Sequence, residues 1–367
     1  MEERPGNEPG ERGWSRLSSS LVALVCIIAV AGGIGIAVSL SRQRPAGVRP
    51  SSTAVLPSLR VTPSTGTDGP SSGALFSVAD DVATHDIVLV GGLGNYANTW
   101  LWNGIRWTQA HPATRPPGRF GASAAYDPAT STVLLFGGRT EPGTPIHDTW
   151  GWNGTDWTAL DSGAGGPKPG TGSDMAWDDT LHEMVLTTES GVLGEPANTW
   201  IWAGTHWRHP AGAHLPAGAF YTPMWFDPKT KSLLAVGCCE GPPPSTGAVN
   251  TTWRWDGSTW TLVPTPNQSP IRASTMALDP ATGSLVLCSC GSSVPPQPEL
   301  LRWDGSAWGS IAAGRPPVQL GVEVTDFGRG QLLLLGSPLA DMQAGPLPVQ
   351  VWALTGSTWR RIDRANT

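Results

Sequence analysis

The chain repeats one order of features six times, from about residue 74 to its end. The order is clearest in the second copy, over 119–160: a run of small residues, an Asp-Pro turn, an apolar run ending in a Gly pair, a loop, and three Trp. The turn aspartates follow one another at intervals of 46, 51, 49, 52 and 47 residues: Asp81, Asp127, Asp178, Asp227, Asp279 and Asp326. Repeats of this length are typical of folds built from one recurring supersecondary unit.

Each copy contains four runs of strand length. In the second copy they cover roughly 121–126, 132–137, 148–153 and 156–160. The Asp-Pro turn predicts a tight connection between the first two strands, and Asn153-Gly154 predicts a two-residue hairpin between the last two. A four-stranded sheet with bulky apolar side chains must be covered, and six such sheets arranged radially cover one another. The sequence therefore predicts an all-β protein with a six-bladed β-propeller.

Tryptophan recurs at three positions of the repeat, which accounts for most of the 19 Trp in the chain. The first position holds Trp100, Trp150, Trp200, Trp253 and Trp352, with Leu301 in the fifth copy. The second holds Trp102, Trp152, Trp202, Trp255 and Trp303, with Leu354 in the sixth. The third is Trp in every copy: Trp107, Trp157, Trp207, Trp260, Trp308 and Trp359. Residues i and i+2 of a strand share a face, so we expect these side chains to pack between sheets rather than to form a sugar-binding platform.

The order of these features resembles the kelch repeat, in the bacterial form grouped with the central domain of galactose oxidase. The resemblance covers about residues 73–364 and includes the Gly pairs Gly91-Gly92 and Gly137-Gly138 and the sequence Asp-Thr-Trp. It weakens in the third copy, where Thr188-Glu189 replace the glycines, and in the sixth, where the turn is Asp326-Phe327. Kelch domains are six- or seven-bladed propellers and are usually binding modules, so the resemblance implies such a fold and function.

The N-terminal part of the chain has a different composition. Residues 1–20 are polar and predict a disordered tail, and residues 21–40 are 20 residues without a charge, enough to span the ~30 Å hydrocarbon layer as a helix. This favours a transmembrane signal-anchor over the alternative, a signal peptide cleaved near Ala29–Ala31. Residues 41–72 predict a Pro/Ser/Thr/Gly-rich linker, and residues 73–367 the propeller.

The membrane orientation is inferred from the linker. Three Arg precede the apolar segment and three follow it closely, so positive charge does not decide the orientation. A semi-extended linker suits a domain held away from a membrane surface. We therefore expect a single-pass protein of the cell membrane, with a cytoplasmic tail over 1–20 and the propeller on the extracytoplasmic side.

Charge and histidine content argue against several functions. The net charge is −6 and only 14% of residues are charged, which provides no basic face for nucleic acid. Copper-radical chemistry of the galactose-oxidase kind needs two Tyr, two His and a Cys, and no such set is recognisable here. His206, His209 and His214 run from a strand into a loop with Pro and Gly, so their spacing predicts no shared face. The sequence predicts no catalytic residue, cofactor or metal.

Four cysteines lie in the fourth and fifth copies. Cys238 and Cys290 occupy the second glycine position of their copies, and Cys239 and Cys288 lie beside them. Outside the membrane, we expect at least one disulfide that joins Cys238 or Cys239 to Cys288 or Cys290. Zinc binding by the four thiols, or free buried thiols in a cytoplasmic domain, are the alternatives.

The connections between the second and third strands differ in length and composition from copy to copy. Variable loops on a rigid scaffold are where ligands usually bind. We therefore predict a non-catalytic module that binds a protein or a glycan. The alternative is an extracytoplasmic enzyme, a hydrolase, lyase or oxidase acting on carbohydrate, for which Asp174 and Glu323 on the innermost strands are the acids that could face the channel.

Overall fold

The computed structural model describes residues 69–71, 75–93, 97–141, 143–168, 173–188, 196–216, 222–237, 251–265, 275–288, 300–313, 318–338 and 348–363. Over these ranges the regular structure consists of strands and turns, and no helix is long and apolar enough to cross a membrane. The predicted tail, the predicted transmembrane helix over 21–40 and most of the predicted linker lie outside the described residues.

Twenty-five strands form six sheets, here called blades 1 to 6 in chain order. Blade 1 contains β1 (Ser77–Asp81), β2 (Asp86–Val90), β3 (Thr99–Trp102) and β4 (Trp107–Ala110). Blade 2 contains β5 (Ser123–Asp127), β6 (Thr132–Phe136), β7 (Thr149–Trp152) and β8 (Trp157–Asp161). Blade 3 contains β9 (Asp174–Asp178), β10 (Glu183–Thr188), β11 (Ala197–Trp202), β12 (Trp207–Arg208) and β13 (His214–Leu215).

The second half of the domain continues the pattern. Blade 4 contains β14 (Met224–Asp227), β15 (Ser232–Gly237), β16 (Thr251–Trp255) and β17 (Trp260–Val263). Blade 5 contains β18 (Thr275–Asp279), β19 (Ser284–Cys288), β20 (Leu300–Trp303) and β21 (Trp308–Ile311). Blade 6 contains β22 (Val318–Asp326), β23 (Gln331–Pro338), β24 (Gln350–Thr355) and β25 (Thr358–Arg361).

Every blade is an antiparallel meander in which neighbouring strands follow chain order. The first strand of each blade contacts the first strand of the next, and β1 contacts β22, so the six innermost strands close a ring. The predicted all-β, six-bladed propeller with four-stranded blades is therefore confirmed. The assignment to the kelch type stays a resemblance.

The turn aspartates stabilise the turn that follows the first strand of each blade. Each of the six is buried, and its carboxylate accepts hydrogen bonds from backbone amides two or three residues later; Asp127, for example, accepts from Ala129 N at 2.9 Å. Such a turn closes the first hairpin of a blade without leaving its amides unpaired. Asp326 does the same for Arg329 N at 2.9 Å, although Phe327 replaces the proline.

Hydrophobic side chains fill the six spaces between neighbouring blades, here called seams. Each of the six apolar clusters combines residues of two adjacent blades. In five blades the second and third Trp of the repeat lie opposite each other on the last two strands, with ring centroids 5.1–5.4 Å apart. Trp102, Trp152 and Trp303 are 1% exposed and therefore lie inside the seams.

The ring closes between blade 6 and blade 1. Phe327 N donates to the Asp80 carboxylate at 2.7 Å, and Val349 N donates to Pro70 O at 2.8 Å. Ser71 also forms a bridge with Pro348. Pro70 and Ser71, near the end of the predicted linker, thus pair with the residues just before β24 of blade 6.

Two local details differ from the sequence prediction. In the outer hairpin of blade 2, Asn153 and Gly154 do not form the predicted two-residue tip. Trp152 pairs with Trp157, four residues lie between them, and Asn153 N donates to Asp156 O at 3.2 Å. The last strand of blade 3 is divided into β12 and β13, which both pair with β11. Pro210 follows β12 closely and has no N–H to continue the ladder.

Candidate binding surface

The connections between second and third strands emerge at one end of the propeller, here called the loop face. Only the blade 2 connection, over 137–148, is described almost completely, with residue 142 as its gap. The connections of blades 3 to 6 lie largely outside the described residues, so the prediction that ligands bind these variable loops stays a prediction.

The blade 2 connection is held by a buried arginine. Arg119 is 1% exposed and pairs bidentately with Asp148, at 2.7 and 3.1 Å, and also donates to Gly137 O at 2.9 Å. The Asp148 carboxylate accepts a further bond from Trp150 Nε1 at 2.7 Å. All of these charges are mutually satisfied, so Arg119 and Asp148 position the loop and are not available to a ligand.

The predicted glycines lie where the second strand ends and its loop begins. Gly91, Gly92, Gly137 and Gly138 have positive φ angles of 68°, 97°, 71° and 88°. A Cβ on Gly138 would approach Phe120 O to 2.8 Å. Glycine is therefore required at this bend by conformation and by space, and these residues support the loop face without contributing side chains to it.

One tryptophan at each of five seams is only half buried. These seam tryptophans are the first Trp of the repeat: Trp100, Trp150, Trp200, Trp253 and Trp352. Trp100, Trp150 and Trp352 lie in the first half of their strands, which start at the loop face, and Trp200 and Trp253 lie further along theirs. Each of the five packs with the apolar cluster that its blade shares with the preceding blade. At the seam between blades 4 and 5 the position is occupied by Leu301, which is buried. An indole that is partly buried in a seam and partly exposed is suited to contact a ligand.

The third Trp of the repeat forms a hydrogen bond to a threonine of the preceding blade, a contact that the repeat pattern alone does not predict. Its Nε1 donates to the Thr of the preceding Thr-Trp sequence at 2.8–3.0 Å in four pairs: Trp157 to Thr99, Trp207 to Thr149, Trp260 to Thr199 and Trp308 to Thr252. Blades 5 and 6 carry Leu300 and Val351 in place of this threonine. The corresponding donors, Trp359 Nε1 and Trp107 Nε1, are buried without a partner.

The innermost strands carry acids at the seams. Asp174 accepts Met224 N at 2.7 Å and Met175 N at 2.9 Å, and burial raises the pKa of its carboxyl to about 7. Burial likewise raises the pKa of Asp80 to about 7, although Phe327 N donates to it. Glu323 is buried with neither oxygen bonded, and desolvation raises its pKa well above the usual value.

These acids are separated around the ring and lie in different seams. Glu323 is on the face of β22 that packs against blade 5, Asp80 faces blade 6, and Asp174 bonds blade 4. No group of three or more His, Cys, Asp or Glu is placed to hold a metal ion within the described ranges. Asp80 and Asp174 therefore accept backbone hydrogen bonds across a seam, Glu323 is buried without such a bond, and no two of these three acids share a seam.

Of the four predicted cysteines, only Cys288 is described. It ends β19, is fully buried in the seam with blade 6, and is disulfide-bonded. Cys238, Cys239 and Cys290 lie outside the described residues, so the pairing stays a prediction.

Comparison with known proteins supports the fold. No protein-family profile and no curated protein matches the chain. Among solved structures, YjhT is 10% identical with a TM-score of 0.52, covering 80% of this chain and 98% of that one. A fucose-recognising fungal lectin from Aleuria aurantia is 11% identical with a TM-score of 0.54, covering 81% and 99%. The SapL1 lectin, solved with alpha methyl fucoside, is 15% identical with a TM-score of 0.53, covering 82% and 97%. At these identities the likeness is one of fold: the chain is similar to six-bladed propellers.

Proposed function

We propose that this protein is a membrane-anchored, surface-displayed propeller of the kelch type that binds glycans without transforming them. The transmembrane helix over 21–40 holds it in the cell membrane, and the linker presents the propeller on the extracytoplasmic side. Its ligands are carbohydrate chains, contacted at the seam tryptophans and by the variable loops around them.

The observation that carries this function is the repeated, half-buried indole at five seams. A sugar ring has an apolar C–H face and a rim of hydroxyl groups, and the exposed part of an indole matches the first of these. In three blades the indole is fixed by a bond from its Nε1 to the residue two positions earlier, as from Trp253 to Thr251 at 2.9 Å and from Trp352 to Gln350 at 3.0 Å. A side chain that is already immobilised loses little entropy when it binds.

Repetition favours a multivalent ligand. Trp200 packs against the His209 ring, with centroids 5.0 Å apart, and the other four seam tryptophans have no such cover among the described residues. Four such positions on one ring can engage several residues of a branched or clustered glycan at once, which raises the overall affinity far above that of a single site. The similarity in fold to the Aleuria aurantia lectin and to SapL1 supports a sugar as the ligand, since both carry fucose recognition on the same architecture.

The test is a glycan array probed with the full-length protein in detergent, followed by titration of the best ligand. We expect binding that weakens in Trp253→Leu and Trp352→Leu, because Leu301 shows that leucine is accommodated at this position of the repeat. Ile105→Ala changes an exposed apolar residue on the opposite end of blade 1 and should leave binding unchanged. Absence of glycan binding, or equal affinity in all variants, would refute the proposal, and turnover of the bound sugar would establish the enzymatic alternative.

A further inference from the structure

We propose that His209 and His214 of blade 3 form a binding site for one divalent transition-metal ion, of the Zn²⁺ or Cu²⁺ class. The two ring centroids are 5.2 Å apart with an interplanar angle of 56°. With metal–nitrogen bonds of about 2.0–2.1 Å and a tetrahedral angle at the metal, two imidazoles that share one ion have centres about 5 Å apart. The angle between the rings also excludes a parallel stack.

The interruption of the last strand of blade 3 brings the two rings together. After β12 the chain leaves the sheet at His209, turns with Ala213 N bonded to Pro210 O at 3.1 Å, and returns in β13 with His214 opposite Asn198. Gly212 takes a φ of 78° within this turn. Both histidines are exposed at the outer edge of the blade, so an ion can reach them from solvent.

A backbone carbonyl fixes the orientation of the first ring. His209 Nδ1 lies 2.7 Å from Thr199 O, which can only accept a hydrogen bond, so Nδ1 carries the proton and Nε2 keeps a free lone pair. A ligand histidine with its other nitrogen bonded to a carbonyl is the usual arrangement in metal sites. The Trp200 ring packs against the His209 ring, with their centroids 5.0 Å apart.

The neighbouring charge does not oppose a cation. Arg208 precedes His209, but its guanidinium is paired with the Glu183 carboxylate at 3.1 Å on the adjacent part of the blade. Two protein nitrogens leave the remaining coordination positions to water or to a ligand donor. An open site of this kind binds metal without being a structural zinc site, which has four protein ligands.

The experiment uses the full-length protein with an affinity tag that lacks histidine. Cu²⁺ is the probe, because it binds nitrogen ligands most strongly among the divalent first-row ions. Calorimetric titration should show one site per chain, and electron paramagnetic resonance should show coupling to two nitrogens. His214→Gln and His209→Gln should each weaken binding about tenfold or more.

His206→Asn is the matched control, because His206 is exposed in the same blade and contacts the Thr205 hydroxyl. It should leave the affinity and the spectrum of the site unchanged. His214 is exposed, so its variant should fold, and an unchanged melting temperature without metal verifies this. Equal Cu²⁺ affinity in wild type and His214→Gln, or no Cu²⁺ site in the wild type, would overturn the proposal. Neither outcome bears on glycan binding at the other seams.

Discussion

The bond between the outer tryptophan of one blade and the threonine of the preceding blade makes a prediction in both directions. Thr149→Val removes the acceptor of Trp207 Nε1, which lies 2.9 Å from the threonine hydroxyl in a buried seam. Val351→Thr supplies the acceptor that Trp107 Nε1 lacks, at the position of blade 6 where four other blades carry threonine. Valine and threonine have nearly the same shape, so packing changes little in either variant.

The expected magnitudes follow from the cost of an unpaired buried donor. Loss of an intramolecular hydrogen bond costs about 1 kcal/mol, and leaving its buried partner unsatisfied raises the cost to about 1–3 kcal/mol. Thr149 is fully buried, so we expect Thr149→Val to lower the free energy of unfolding by this amount and the melting temperature by roughly 2–8 °C. Val351→Thr should be neutral or stabilising by about 1 kcal/mol, since its hydroxyl gains a partner.

The assay is thermal and denaturant-induced unfolding, with Val286→Thr as the matched control. Val286 is fully buried in the seam between blades 5 and 6, and no unpaired tryptophan donor is assigned to it. The hydroxyl that Val286→Thr introduces should therefore lower the free energy of unfolding by about 1–3 kcal/mol. The reasoning is refuted if Val351→Thr lowers the free energy of unfolding as much as Val286→Thr does, or if Thr149→Val leaves it unchanged.

Three further predictions concern buried polar groups. Glu323→Met should raise the melting temperature above that of wild type at pH 8, because the wild-type carboxyl has no hydrogen-bond partner and three other blades carry Met at the same position: Met175, Met224 and Met276. Glu323→Gln separates the effect of the charge from that of polarity. A lower melting temperature for Glu323→Met at every pH would contradict this prediction. The Asp80 carboxyl has a pKa of about 7 in the folded state against 3.8 ordinarily, so the folded protein keeps this proton to a higher pH and its stability falls as the pH rises from about 4 to 7. Asp80→Asn should reduce this fall, as measured by urea unfolding at several pH values. An unchanged dependence of stability on pH in the variant would count against the prediction. Non-reducing peptide mapping should find one peptide containing Cys288 linked to Cys238 or Cys239, whereas four freely alkylated thiols in the propeller would exclude the predicted pairing.

The number of blades and their strand order could be predicted from the sequence because the signal is repeated. Six turn aspartates and six outer tryptophans report the same local structure, so one degenerate copy does not disturb the pattern. The aspartate turns and the glycine bends are also determined by a few neighbouring residues. Gly138, for instance, needs both a positive φ and the absence of a side chain against Phe120.

The contacts between blades could not be predicted in the same way, because they join residues about 55 to 60 positions apart. The threonine of Thr-Trp looks like an ordinary strand residue until its partner in the next blade is known. The position of Glu323 on an innermost strand predicts an acid that could face the channel, but Glu323 lies buried against blade 5. Its environment depends on the packing of two blades and not on its own strand.

The histidines of blade 3 illustrate the limit for local reasoning. His214 follows His209 by five positions, a spacing that predicts no shared face on a continuous strand. The excursion at Pro210 breaks the strand and places both rings on one side of the blade. A signal was present, since Pro and Gly follow the short strand, but its geometric result required the pairing of β13 with β11.

The central claim, that glycans bind at the seam tryptophans of a rigid propeller, is tested most directly by nuclear magnetic resonance of the indole N–H groups. The full-length protein, labelled with ¹⁵N-tryptophan and assigned through single substitutions, is titrated with the best ligand from the array. The account predicts that the signals of seam tryptophans such as Trp253 and Trp352 shift on binding, while those of buried Trp102, Trp152 and Trp303 stay in place. Saturation with glycan that leaves every seam tryptophan signal unchanged would contradict it.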